Sequence, residues 1–321
     1  MNTIDQWSAF LFKCQDKAFI EQRDNTPVVY TEYTREGKMK NADYRDVTGI
    51  GLGPAGYTPL GGQAHLDEYQ PGTELVIKPK KLTIAVITPE ELLADMLSNG
   101  RIDDDKAKIF SDMATDTADA HTWAFEVLCT DFQLRGTSTT ATSFWQGAGR
   151  DGLALFSTSH VTAKGVPVTW SNRQTTGPLN AVTLAEGVTM LENIPNEAGR
   201  PQSSIKNIGI VFGRYHEWRI PELLKSQGQA DTANNNPNIL AKGVRYNPVS
   251  FTPILNTFLG PTETSWMLID MDRNPLMHFM KEKPTNNRDV EPRTGNQIFR
   301  TRSRFATGFS TARGALLNSG Q

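Results

Sequence analysis

The sequence predicts an α+β chain written for assembly and not for catalysis. Three observations lead there: a single apolar stripe of helical period over residues 103–134, short β-branched runs on either side of it, and long polar or Gly/Pro-rich segments that cannot bury a core of their own. The 321 residues carry a formal charge of −2, with 38% hydrophobic and 21% charged residues, a globular but somewhat polar balance. This argues against a dedicated DNA-binding protein, which carries a basic excess. The two cysteines, Cys14 and Cys129, make neither a disulfide framework nor a zinc site. Both read as free thiols, with Cys129 in the core. No run approaches the ~18 apolar residues of a membrane span. MNTIDQW lacks the basic start and apolar run of a signal peptide. Synthesis and folding in a cytoplasm are therefore expected.

Residues 1–20 place Ile4, Trp7, Phe10, Leu11, Cys14 and Ala18 at helical spacing. The stretch 22–56 is polar and without period. A helix ahead of such an arm packs either on its own domain or on a neighbouring subunit, and both remain open at this point. Residues 49–87 read as a long two-stranded excursion, with strands at 74–78 (ELVIK) and 81–88 (KLTIAVIT) and a tip near Gly61-Gly62 or near 70–72. Such a hairpin is marginal alone and needs a partner surface. Pro89 opens a short helix that Thr88 caps, with Glu91 completing a capping box and Asn99-Gly100 ending it.

The long helix starts at Asp103, Asp104 and Asp105, whose carboxylates suit unpaired N–H groups and the positive end of the dipole. Ala107, Phe110, Met113, Ala114, Thr117, Ala118, His121, Ala124, Phe125, Leu128, Cys129 and Phe132 then follow at steps of three and four. At ~1.5 Å per residue the helix is roughly 45 Å long. Arg135-Gly136 ends it. Short strands and turns are expected over 137–177, a helix at 180–194, and a buried strand at 205–213 leading into a helix that Pro221 kinks or restarts. A polar loop occupies 226–238. Strands follow near 249–255, 265–272 and 276–281, and KEKPTNNRDVEPRTGN reads as a loop or crossover. In 297–310 Ile298, Arg300, Arg302 and Arg304 alternate with Phe299, Thr301, Ser303 and Phe305, one face basic and one part aromatic.

No motif carries chemistry. GLGPAG spells a dinucleotide fingerprint at 51–56, but no hydrophobic strand precedes it and Pro54 interrupts it. His65, His121, His160, His216 and His278 form no i, i+4 metal pair. His121, on the apolar stripe, reads as a packed core histidine. Ser159-His160 names no nucleophile–base–orienter set. Catalytic, cofactor and metal residues are therefore assigned to none. Lys78, Lys80 and Lys81 read as a solvated strand face or a polyanion contact. The three arginines read as ion-pair partners for a neighbour's carboxylates in preference to DNA contacts.

Polar arm, unsupported hairpin, very long helix, compact α/β part and late strands, in that order, resemble the major capsid proteins of tailed bacteriophages with the Hong Kong 97 fold. DGLALFSTSH followed by WSN, at 151–172, is similar to a "DG-x-x-LFST-x-H … SN" stretch of Mu-like major head subunits. The N-terminal third departs from the Mu-like pattern and matches by topology alone. The resemblance implies an N-terminal arm at 1–48, an extended loop at 49–87, a peripheral domain at 88–178 with its spine helix at 103–134, an axial α/β domain at 179–284, and return strands at 285–321. It also implies a structural virion protein that assembles into hexamers and pentamers of an icosahedral head around double-stranded DNA. Implied partners are further copies of the chain, a scaffolding protein, a portal and a decoration protein, with no membrane and no cofactor. A scaffold fused ahead of the arm is expected to be absent or already removed. Expected inter-subunit contacts are Trp7, Tyr57, Lys78, Lys80, Lys81, Arg300, Arg302 and Arg304. Two other readings compete: an encapsulin-like shell of the same fold that encloses cargo enzymes, and a monomeric α/β hydrolase.

Overall fold

The computed structural model describes residues 3–50, 58, 60, 63, 70–92, 104–162, 168–175, 177–197, 199–200, 204–226 and 249–320. The chain forms two compact units, one of Met1–Val28, Pro79–Val127 and Phe279–Ala306, the other of Val29–Lys78, Leu128–His278 and Thr307–Gln321. Its helices are α1 (Thr3–Asn25), α2 (Tyr30–Tyr33), α3 (Asp104–Leu134), α4 (Ala181–Glu192) and α5 (Arg219–Lys225). The strands are β1 (Arg35–Glu36), β2 (Tyr44–Ile50), β3 (Gln70–Ile77), β4 (Lys80–Thr88), β5 (His160–Val161), β6 (Thr169–Trp170), β7 (Arg173–Gln174), β8 (Asn207–Phe212), β9 (Ser250–Leu255), β10 (Trp266–Asp270), β11 (Leu276–Val290), β12 (Gln297–Phe309) and β13 (Ala315–Asn318).

In the first unit the predicted stripe of the long helix is its buried face: Phe110, Ala114, Ala118, His121 and Phe125 are all at most 4% exposed. The arm helix docks here, on its own chain. Phe19 packs with Ala114, Ala118 and Phe299, and Phe12 meets Phe299 edge-on at 6.0 Å. The two alanines present no bulk, so α1 approaches closely. Gln22 donates to Asp119 at 2.9 Å, Arg23 to the Pro284 carbonyl at 3.1 Å, and Asn286 to Asp16 at 3.2 Å. Under the helices β4 and β12 pair antiparallel from Gln297↔Thr88 to Phe305↔Lys80.

That pairing corrects the expected hairpin. Strands 74–78 and 81–88 do not pair with each other. β3 pairs antiparallel with β2, and β4 with β12. Only Lys78 and Pro79 separate β3 from β4: a type I′ turn needs positive φ at both, which the proline ring forbids, and a type II′ turn needs it at Lys78, where a side chain disfavours it. Residues 70–72 are strand and so are not the tip; Gly61 and Gly62 lie outside the described residues. A second correction concerns KEKPTNN, which continues β11 as far as Val290. Pro284 is tolerated because β1 pairs only with Met277 and His278, leaving the later residues of β11 on an edge with no donor required. The helix expected after Pro89 is helical at 90–92, and its remainder lies outside the described residues, as do the GLGPAG segment, His65 and nearly all of the polar loop at 226–238.

The second unit is built on a five-stranded mixed sheet ordered β7-β13-β10-β8-β9. WMLID of β10 is buried throughout, as a central strand covered on both faces must be. One face carries Ile208, Ile210, Phe212, Trp266, Leu268 and Leu316 against Leu184, Val188 and Leu191 of α4 and Ile220 and Leu223 of α5. Asn180 caps α4 through the N–H groups of Val182 and Thr183 in a capping box. Gly187 allows the close approach: a Cβ there would lie 3.2 Å from Leu268 and 3.3 Å from Trp266. After a 3₁₀ turn at Arg214–His216, α5 restarts with Pro221 in its first turn. The C-terminal strand β13 does not return to β12's sheet as expected. Its four residues are all buried, which suits an interior strand between β7 and β10.

Candidate functional site

The DGLALFSTSH…WSN stretch folds into one polar cluster, buried at His160 and Asn172 and open to solvent at Asp151. Gly149 donates to the Leu153 carbonyl at 2.7 Å and Gly152 to the Gly149 carbonyl at 3.1 Å, closing a turn. Gly152 has φ +75, a conformation L side chains rarely adopt. The turn aims the Asp151 carboxylate two ways. One oxygen accepts from the Leu153 N–H at 3.1 Å, and the other from Nδ1 of His160. Burial opposes ionisation of Asp151, but the bonds from His160 and Leu153 outweigh it and hold the carboxyl below its usual range. An ionised carboxylate only accepts, so His160 carries its proton on Nδ1.

His160 is fully buried and stacks on Trp170, its partner across β5 and β6, at 4.4 Å. The Arg313 guanidinium lies 5.0 Å from the Trp170 ring centroid, donates to the Pro195 carbonyl at 2.7 Å and pairs with Glu197. Burial lowers the pKa of Arg313, and the charges of Glu197 and Asp151 oppose that. Asn172 closes the cluster. Its amide donates to the carbonyls of Leu155 at 2.8 Å and Ala312 at 2.9 Å, and its oxygen accepts from Ser157 N–H at 2.9 Å. The motif therefore fastens the 151–172 segment to the C-terminal strand region.

His160 bonds Asp151, and no hydrogen bond joins it to either serine among the described residues. Ser157 and Ser159 bond to each other at 3.4 Å, and the second ring nitrogen of His160 is buried without a hydrogen-bond partner among the described residues. His121 is a packed core histidine, as its place on the stripe suggested: it bonds Ser303 at 3.1 Å, and burial lowers its pKa. Cys129 is buried and Cys14 exposed, and neither forms a disulfide. Among the described residues no three His, Cys, Asp or Glu side chains converge on a metal site, and no helix is long and apolar enough to cross a membrane.

The expected contact residues are dispersed. Trp7 lies in α1 and Tyr57 outside the described residues. Lys78, Lys80 and Lys81 are exposed. Lys81 stands directly opposite Arg304, so the two share a face of the sheet with Arg300 and Arg302. The arginines are not left for a neighbour alone: Arg300 pairs with Asp289 at 2.8 Å, Arg304 with Glu282 at 3.6 Å, and Arg302 reaches Glu282 at 4.0 Å. Sequence reasoning missed Arg313 and Glu197, which lie far from the motif in the chain and carry no local signal. It also passed over Trp218, which is 86% exposed.

No protein-family model matches the chain, and no curated protein does. Solved structures do match. The capsid of a native GTA particle aligns with a TM-score of 0.58 at 10% identity, over 90% of this chain and 89% of that one. The capsid of an empty GTA particle gives 0.56 at 12%, over 92% and 90%. A structure of Microbacterium phage Oxtober96 gives 0.54 at 12%, over 92% and 91%. At this identity the likeness is one of fold, and it spans nearly the whole of both chains. The chain has the Hong Kong 97-type fold of tailed-bacteriophage major capsid proteins.

Proposed function

We propose that this chain is the major capsid subunit of a tailed bacteriophage, a structural virion protein that builds hexamers and pentamers of an icosahedral head around double-stranded DNA. The observation that carries the reading is coverage: about nine-tenths of this chain superposes on about nine-tenths of each of the two GTA capsid chains. The cluster supports a structural role, because the bonds of Asp151 and Asn172 tie separate segments of this one chain together. The near-neutral charge and the intrachain pairing of Arg300, Arg302 and Arg304 support weak, non-specific contact with packaged DNA.

In this reading 44–77, the β2–β3 ribbon with its connecting residues, is the extended loop, α3 the spine helix and the β7-β13-β10-β8-β9 sheet the axial domain. Trp7, Tyr57, Lys78, Lys80 and Lys81 contact neighbouring subunits, as do the outer edges of the three arginines. Scaffolding protein, portal and decoration protein are the remaining partners. Assembly takes place in the host bacterial cytoplasm. Expression of the full chain with analytical ultracentrifugation and electron microscopy tests the proposal. Capsomers or shells are the expected result. A chain that stays monomeric and turns over a substrate would sink it, and shells loaded with a host enzyme would move the assignment to a cargo compartment.

A further inference from the structure

Two features of the second unit are complementary. The first is a groove of about 720 Å³ between α4 and residues 169–171. Trp170, Val182, Ala185, Met190 and Ile194 give it an apolar lining, and Glu186 is the one carboxylate among its lining residues. Val182 is 60% exposed. The second is Trp218, at the N-terminal boundary of α5. Ile220 and Leu223 of that helix are buried in the unit's core, so the exposed indole is displayed on a fixed element. Tryptophan is enriched among the residues that anchor protein interfaces. Exposed Arg214, close before it in the chain, brings a cation that matches Glu186, whereas Arg219 is already paired with Glu222.

Both helices pack on one face of the sheet, but the chain leads from the two features toward different halves of it. Ser171 of the groove leads directly into β7, one edge of the sheet. Trp218 follows β8, which adjoins β9 at the other edge. A contact joining two different patches is heterologous, and when repeated with a constant rotation it closes a ring. We propose that Trp218 of one copy inserts into the groove between α4 and residues 169–171 of the next, joining copies head to tail. The occupant is a second copy because one chain carries both halves, and this rests on the shell-subunit reading above.

The test uses the full chain. Trp218→Ala and Ala185→Trp, which empties the contact from one side and fills it from the other, should each leave the melting temperature near that of the parent. Each should raise the concentration for half-assembly roughly tenfold or more, the scale of losing one aromatic anchor. In a Cys14→Ser background, Trp218→Cys chains mixed with Thr189→Cys chains should crosslink with a short bis-maleimide once assembled. Neither variant should do so alone. Shells that form at parental yield from both substitutions, with no crosslink in the mixture, would overturn the contact and leave the shell reading standing. A parent chain that remains monomeric at every concentration would overturn both. If either substitution disturbs folding, the crosslink in assembled cysteine variants decides.

Discussion

At Asp151 a turn, a histidine and a charge cluster meet in one carboxylate. Asp151→Asn keeps the size but weakens the bond to buried His160 and the charge balance with Arg313. The expected cost is about 1.5–3 kcal/mol, the range for a hydrogen bond to a charged group, read from urea unfolding. Asn172→Ala should cost more, roughly 3–5 kcal/mol, because it strips partners from the carbonyls of Leu155 and Ala312 and from Ser157 N–H at a site with no solvent access. If the two variants melt alike and near the parent, the cluster is not the fastener described. Asp151, His160 and Asn172 stand out in the sequence as a motif, though their bonding does not. Arg313 reaches them only through chain reversal, so no spacing rule reveals it.

Among the elements, α3 was the most legible. Twelve positions at helical steps, ten of them apolar, mark the buried face, and Glu126 is buried beside them. Phe125 stacks on Phe305 at 4.5 Å and is 4% exposed. Phe125→Asp should therefore cost several kcal/mol by burying an unpaired charge, with soluble yield and thermal melting as the measurements. A variant that melts with the parent would contradict the packing. The strands were legible as strands and not as pairs. β4 shows an extended β-branched run in isolation, yet its partner lies more than two hundred residues later in β12. The proline between β3 and β4 is the local cause, and it was in plain view.

For the whole molecule, mild acid should act through two histidines. Burial lowers the pKa of His121 and of His278, from a usual 6.5, the latter against the opposing charge of Glu36. The unfolded chain then binds protons that the folded chain refuses, so the stability they contribute is full above about pH 6.5 and declines as pH falls below it. Asp151 behaves differently. Its depressed pKa contributes stability above about 3.8 that is lost only in stronger acid. Chemical unfolding at pH 7.5 and 5.5 should show the loss, and His121→Gln should reduce it; a flat profile would contradict both burials. Residues 51–69 are the segment to remove when testing assembly. Ile50 and Gln70 are the last paired residues of β2 and β3, so an Asn-Gly turn can join them. That variant should keep parental melting and lose shell formation, whereas cutting through 70–77 would also remove buried Leu75 and Ile77.

The sequence by itself determined the fold class, the long helix and its buried face, the two-sided burial of β8 and the alternation of β12. Each of these is a periodicity of burial along one segment, and such a periodicity is written locally. Only the tertiary structure decided that α1 docks on its own long helix, that β3 and β4 part company, that β13 enters the axial sheet, and that Arg313 completes the Asp151–His160 cluster. Those outcomes depend on which distant surface offers the best burial and the missing hydrogen bonds, and a single segment holds no record of that competition.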